Sequence, residues 1–466
     1  MQLSATCDLC ADCSRVLGTR VYLRHRTDRH DITALRNTKL TLRVKGIYAL
    51  RNVMRKAREG ERFLRQSRFY LGGGYAIDRS LANLHRITRR RKGVTYHLLL
   101  PTDGRGNIGD QAMFESYLQN TTGPIVALVR SRLDFSTPPA DRDRVQFVEV
   151  PNLVGGGRFG RKKDVVSFVN ALSQAVDFSI IGADVMDGGY ERREAVRRAQ
   201  LLRIAASFGV PSRVLGFSWN AHSDVVARRE LRRVSNSVEL FARDPQSRAR
   251  LQRERIRANE SADIVFSLST EAYPEDIAAW LNRQAGRVVS VNVSGLIMRK
   301  LDLVSEFAEV VHRLLAHGHK VILLPHVIRA GDNDLDACRQ VAELLSDADR
   351  SEILLIERVL APSEVAWVAE HSAVVLTGRM HFAILSLSQG TVPITMATQG
   401  KVEGLAELFG IEELVLSPER GVGATALELV EKVLASDEYR TKIVAALPVA
   451  LELSSRSFSG LKTLKH

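Results

Sequence analysis

The sequence predicts an α/β protein built from two doubly wound halves that face one another across a cleft. Short apolar runs of strand length, each closed by a polar or glycine-bearing turn and followed by a segment of helical length, recur from about residue 94 to residue 446. The pattern pauses over 269–285, which reads as a surface crossover, and then restarts. Residues 94–285 and 286–446 are therefore expected to form the two halves, with 1–93 an extension before them and 447–466 a tail.

Composition narrows the class. At 466 residues, 45% hydrophobic and 26% charged, the chain has apolar content for two or three cores and is not of disordered composition. It holds no run of about 18 apolar residues, so no transmembrane helix is expected. The opening Met1-Gln2-Leu3-Ser4-Ala5 lacks the basic-then-apolar order of a secretory signal, which predicts a cytoplasmic protein.

Charge is unevenly spread. Between Lys39 and Lys92 stand sixteen Lys or Arg and three acids, a local excess equal to the formal +13 of the whole chain. Such a stretch suits an anionic membrane surface, met peripherally at the inner face of the cell membrane, or a lipid-linked diphosphate; a basic helix over 50–69 with a solvated face is the plainer reading. No nucleic-acid module accompanies it, so nucleic acid is not an expected partner. Cys7, Cys10 and Cys13 are spaced as metal ligands, with His25 or His30 as a fourth, but match no standard module and are read as reduced thiols. Cys338 is expected to be a small buried side chain.

In the first half, strands are read at 96–100, 125–129, 145–150, 178–181, 214–217 and 237–242, with helices from Asp110, over 165–175 and 191–208, and from Pro245. In the second half, strands at 288–293, 320–324, 353–356, 374–377 and 392–396 alternate with helices at 303–318, 337–345, 362–371 and 379–389 and one leading to Phe409. Two closing helices follow at 423–435 and 438–446. The candidate chemistry lies at the carboxyl ends of these strands, where open α/β sheets bind ligands.

One strand end reads Thr377-Gly378-Arg379-Met380-His381. A guanidinium offers five donors in a rigid fork, and an imidazole exchanges a proton near neutral pH; beside the free N–H groups of a helix start, the pair suits an anion that must be protonated. Its plainer alternative is a salt bridge and a structural cap. Gly104-x-Gly106-x-x-Gly109 matches a dinucleotide fingerprint literally, but no ribose-binding acid follows it. Asn107 and Asp110 in that loop are either ligand groups or loop and helix caps. Arg243, at a strand end before Pro245, is placed to clamp a carboxylate or phosphate. Asp184 and Asp187 at a strand end are either ligand contacts or, more plainly, loop caps, and Trp219 either stacks on a ligand ring or covers core. Asp332, Asp334 and Asp336 lack calcium-loop spacing and read as caps or polar groups on the ligand side, so no metal is assigned.

Four segments in order resemble the polysaccharide pyruvyl transferase family: Gly106-Asn107-Ile108-Gly109-Asp110-Gln111-Ala112; Phe241-Ala242-Arg243-Asp244 with Ser247; Leu324-Pro325-His326; and Gly378-Arg379-Met380-His381 with Gly390, Pro393, Lys401 and Gly404. The resemblance spans roughly residues 95 to 425 and departs from the family at Ala183-Asp184, where glycines are usual, and at Ser218-Trp219. It implies two Rossmann-like domains in a glycosyltransferase type B-like arrangement, the first on the acceptor side and the second on the donor side. It also implies phosphoenolpyruvate as donor substrate, without a further cofactor, and a sugar or lipid-linked glycan as acceptor.

On that reading His381 is the general acid, with His326 and Asp110 the other proton-transfer groups. Arg243, Arg379 and Lys401 bind donor charge, and Asn107, Asp184 and Asp187 contact substrate; Lys401 paired with Glu403 at a helix start is the structural alternative. A nucleotide-sugar glycosyltransferase of the same architecture and a non-catalytic basic adaptor are the competing readings.

Overall fold

A computed structural model describes residues 75–76, 78–83, 95–397 and 400–464. The expectations for Cys7, Cys10 and Cys13, and for nearly all of the basic stretch 39–92, concern residues outside this set. Of the extension, Asp78 is described: its carboxylate pairs at 2.7 Å with Arg161, both side chains buried.

The first half is a seven-stranded parallel sheet: β1 (Tyr96–Leu100), β2 (Ile125–Val129), β3 (Val145–Glu149), β4 (Ala175–Ala183), β5 (Ser212–Phe217), β6 (Glu239–Ala242) and β7 (Asn259–Glu260). The second holds β8 (Val288–Asn292) and β9 (Lys320–Leu323), a short antiparallel hairpin of β10 (Ile328–Arg329) and β11 (Asp332–Asn333), then β12 (Ile353–Leu355), β13 (Val374–Thr377), β14 (Pro393–Met396) and β15 (Val415–Leu416). Spatial orders are β3-β2-β1-β4-β5-β6-β7 and β12-β9-β8-β13-β14-β15. Counted within its own sheet, each runs third, second, first, fourth, fifth, sixth, with β7 added as a seventh strand in the first, the doubly wound order of dinucleotide-binding domains. Strands such as β2 and β8 are buried at every residue because helices cover both faces, which explains their unbroken apolar runs.

First-half helices are α1 (Ile108–Gln119), α2 (Arg158–Leu172), α3 (Arg192–Ser207), α4 (Val225–Val234), α5 (Pro245–Arg253) and α6 (Glu275–Leu281). The second half adds α7 (Gly295–Met298), α8 (Val304–Ala316), α9 (Asp334–Leu344), α10 (Asp347–Ser351), α11 (Pro362–Glu370), α12 (Met380–Ser388), α13 (Val402–Phe409), α14 (Val422–Ala435) and α15 (Glu438–Arg456). One continuous apolar core runs from Ile108, Phe114 and Tyr117 of α1 through Ile264 and Phe266 into Val291, Leu376 and Phe382, so the halves share buried surface. Among the described residues no helix is long and apolar enough to cross a membrane.

Residues 264–267 form a 3-10 turn that packs in this shared core. Two expectations are corrected. The crossover over 269–285 contains α6, whose Ile277, Ala278 and Trp280 are buried. The expected tail is not one: α15 continues through Pro448 to Arg456. Proline removes the bond to the carbonyl four residues back, and Val444 is 56% exposed, so water can take up that carbonyl. The chain then returns to the first half, where Arg213 donates to the carbonyls of Ser457 (3.0 Å) and Ser459 (2.8 Å) and Ser261 meets Ser457 at 2.7 Å.

Candidate active site

In a doubly wound sheet the connections from the first and fourth strands leave toward opposite faces, which opens a crevice at their carboxyl ends. Here the two crevices, between β1 and β4 and between β8 and β13, contribute to one cleft of about 530 Å³ with walls from both halves.

The loop after β1 is tied to both walls. Asn107 caps α1, its Oδ1 accepting from Gly109 N at 3.0 Å and Asp110 N at 3.5 Å. Gly106 O accepts from Ile328 N at 2.8 Å, and Ile108 N donates to His326 O at 3.1 Å, so this loop forms a small bridge to the second half. Gly106 is required there: its φ is +70°, and a Cβ would fall 2.2 Å from Ile328 O. Gly109 serves the cleft more directly. A Cβ on it would lie 2.3 Å from His381 Nδ1, so the absent side chain makes room for the imidazole. Asp110, one residue on, is buried and accepts from Gly104 N at 3.2 Å. Burial pushes its carboxyl up to about 6, against the opposing pull of Thr102 and of the charges on His381 and Arg329.

Arg243 leaves the end of β6 with its side chain 1% exposed. Its Nε donates to Ser218 Oγ at 2.7 Å and its Nη1 to Asp263 Oδ2 at 2.8 Å. The same Oδ2 lies 3.6 Å from His381 Nε2, an ion-pair distance rather than a hydrogen bond. Burial alone would raise the Asp263 pKa, but His381 and Arg243 outweigh it and hold it at about 2.

Asp184 follows Ala183, a non-glycine residue at φ +41°. Its carboxylate receives Lys401 Nζ from the opposite half at 2.7 Å, and that ammonium also lies 4.2 Å from the ring centre of Tyr190. Burial opposes ionisation of Asp184, yet Lys401 and Arg243 hold its pKa well below the usual carboxylate range. Lys401 thus bridges the cleft to Asp184, not to Glu403 along its own helix start.

Arg379 stands at the N-cap position of α12 without a side-chain cap bond, its guanidinium lying instead between two carboxylates. Its Nη2 meets Asp332 Oδ1 at 2.5 Å and Asp334 Oδ1 at 2.6 Å, while its Nε lies 3.1 Å from Asp334 Oδ2. Burial works against its charge, but the two aspartates raise its pKa further. Asp334, fully buried, also accepts from Asn292 Nδ2 and from the backbone of Gly295, His326 and Val327, so it ties the ends of β8, β9 and β13 together. His326 stacks on Phe382 with ring centres 5.8 Å apart and 9° between planes. Neither of its buried ring nitrogens has a hydrogen-bond partner, and burial together with the charges of His381 and Arg379 drives its pKa well down.

Of the residues singled out by sequence, His381, His326, Asp110, Arg243, Arg379, Lys401, Asn107 and Asp184 all line this cleft. Asp187, expected as a substrate contact, takes its other role and is corrected on that point: it is buried and caps its loop, accepting from Gly189 N at 2.8 Å and Asn220 N at 3.1 Å. Trp219 is also core, fully buried with Nε1 donating to Glu254 at 2.8 Å. Asp332 and Asp334 carry more than caps, and Asp263 and Tyr190 were missed. Asp263 stands before an apolar run and signals only a turn cap, which it also is, accepting from Val265 N at 3.0 Å.

Solved structures with the same architecture include a UDP-N-acetylglucosamine 2-epimerase (TM-score 0.52, 10% identity, 78% of this chain and 94% of that one). Another is a UGT transferase from Siraitia grosvenorii in complex with UDP (TM-score 0.50, 14% identity, 78% and 98%). A third is UGT2 from Phytolacca americana with UDP-2fluoro-glucose and pterostilbene (TM-score 0.50, 13% identity, 77% and 95%). At these identities the likeness is one of fold: two Rossmann-like halves in the glycosyltransferase type B arrangement. No curated protein sequence matches the chain. Residues 47–400 match the model of the polysaccharide pyruvyl transferase family, which covers most of the chain and takes in every cleft residue named above except Lys401. The chain belongs to the polysaccharide pyruvyl transferase family and is a pyruvyl transferase enzyme.

Proposed function

We propose that the cleft moves the pyruvyl unit of phosphoenolpyruvate onto two hydroxyls of one sugar in a glycan, releasing phosphate and leaving a pyruvate ketal. The observation that carries this reading is one imidazole, His381, set among Arg243, Arg379 and Lys401 in a single cleft whose other wall holds a carboxyl of raised pKa, Asp110. The three cations are each paired with aspartate, so the protein itself fixes their positions and they act on the donor through their field.

The chemistry balances with these groups. His381 gives a proton to the methylene carbon, whose π pair forms the new C–H bond, and the adjacent carbon accepts the lone pair of a sugar hydroxyl. That hydroxyl loses its proton to a base. The C–O bond to phosphate then breaks with its electron pair on phosphate, a second hydroxyl adds to the same carbon, and its proton leaves. The two hydroxyl protons replace the one delivered to carbon and the one taken up by phosphate. Asp110, titrating near 6, is better matched than His326 to receive a hydroxyl proton near neutral pH. His326, with two unpartnered ring nitrogens at the cleft wall, is assigned to hydrogen-bonding substrate.

The test supplies phosphoenolpyruvate with a panel of free and lipid-linked glycans and follows phosphate and ketal. One phosphate per pyruvyl group added supports the proposal. Consumption of a sugar nucleotide with no use of phosphoenolpyruvate replaces it by a glycosyltransferase reading.

A further inference from the structure

We infer that Asp263 is the positioning residue for the proton donor: its fixed negative charge orients the His381 imidazole through Nε2 and keeps a proton on that ring, leaving Nδ1 as the nitrogen that gives it up. The inference rests on His381 being the acid, and three observations lead to it. His381 Nε2 is buried without a hydrogen-bond partner, and Asp263 Oδ2 lies 3.6 Å away. Asp263 cannot swing aside, because its Oδ1 takes Val265 N and its Oδ2 takes Arg243 Nη1. The other edge of the ring, with Nδ1, packs against Gly109, whose missing side chain gives the imidazole its place.

An imidazole that donates to carbon from one nitrogen develops the opposite tautomer, and an anion at the far nitrogen favours the protonated ring before transfer. The remaining charged or titratable groups around His381 come from every neighbouring element: Asp110 from α1, Arg243 from the end of β6, His326 from the loop after β9 and Arg379 from its own turn. The two arginines repel a ring proton. Asp110 is neutral below about pH 6, so Asp263, ionised throughout, is the constant opposing charge.

The experiment compares D263N, D263E, H381A and D263N/H381A, after thermal melts show which are folded, with phosphate release from phosphoenolpyruvate as readout. D263N is expected to lower kcat by about 10²-fold. The fall in kcat as pH rises should move to lower pH, because the ring loses its proton more readily without the anion. In the H381A background D263N is expected to add almost nothing. D263E keeps the charge, so its pH limb should stay at the wild-type position with kcat partly restored; if D263N does not fold, that limb alone is decisive, and its displacement to lower pH overturns the inference. So does an unmoved limb in folded D263N, a loss confined to KM, or an equal fractional loss with and without His381. Wild-type activity in H381A overturns instead the assignment of His381 as the acid.

Discussion

Gly109→Ala isolates the geometry of His381 from the rest of the cleft. Gly109 sits in the first turn of α1 with no positive φ, so its backbone accepts alanine without strain. The added Cβ would lie 2.3 Å from Nδ1, 2.5 Å from Cγ and 2.7 Å from Cβ of His381, all atoms of one side chain. Restoring ordinary contact requires the imidazole to retreat by about 1 Å, and misplacement of that size costs on the order of 10²-fold in rate. Stability should change little: alanine gains up to about 1 kcal/mol over glycine in a helix, against roughly 1–3 kcal/mol of overpacking. The assay is phosphate release from phosphoenolpyruvate beside a thermal melt of the same preparation. A melting point within a few degrees of wild type and a kcat about a hundredfold lower are expected. A folded G109A variant with wild-type kcat would refute the claim that this imidazole must stay where the glycine allows it.

Further outcomes follow from residues around the cleft. Ala183→Gly relieves a left-handed alanine at φ +41°, and should stabilise the protein by about 1 kcal/mol, a rise of roughly 2 °C in Tm by calorimetry; an unchanged or lower Tm contradicts it. Asp110 is raised to about 6, so folding favours its neutral form: the penalty is absent below about pH 4, grows as pH rises through 6 and approaches roughly 3 kcal/mol at neutral pH. Asp110→Asn removes that titration, and denaturant unfolding should show the variant gaining on wild type between pH 4 and 7; a constant difference at both values rejects the assignment. Trp219→Phe loses the bond to Glu254, and should cost roughly 1–3 kcal/mol in stability while leaving the KM for glycan within about twofold. A selective rise in that KM would return Trp219 to the acceptor site.

Most of the fold was legible because it rests on local pattern. Continuous apolar runs closed by turns mark parallel strands, and the pause over 269–285 separates two repeats of one strand order. The end of the chain was misread because Pro448 looks like a helix stop, whereas an exposed position four residues earlier lets the helix pass through it. Arg243, Arg379 and His381 were found because each stands at a strand end, where the topology itself points side chains toward a crevice. The pairings were not: Asp263 with His381 and Asp184 with Lys401 cross between the two halves, and Asp332 reaches Arg379 only once the β10–β11 hairpin lies beside the end of β13. Asp187 and Trp219 stayed open between ligand and structural roles because a polar or aromatic residue next to a strand end can turn inward, and only the packing of the neighbouring loop decides which way it faces.

Deuterium incorporation tests carbon protonation most directly. With the reaction run in D2O on phosphoenolpyruvate and a glycan acceptor, transfer of one proton from His381 to the methylene carbon predicts a ketal methyl carrying one deuterium, CH2D, by mass spectrometry and NMR, and loss of that product in H381A. A ketal methyl formed without solvent deuterium, or undiminished CH2D product from H381A, would contradict it.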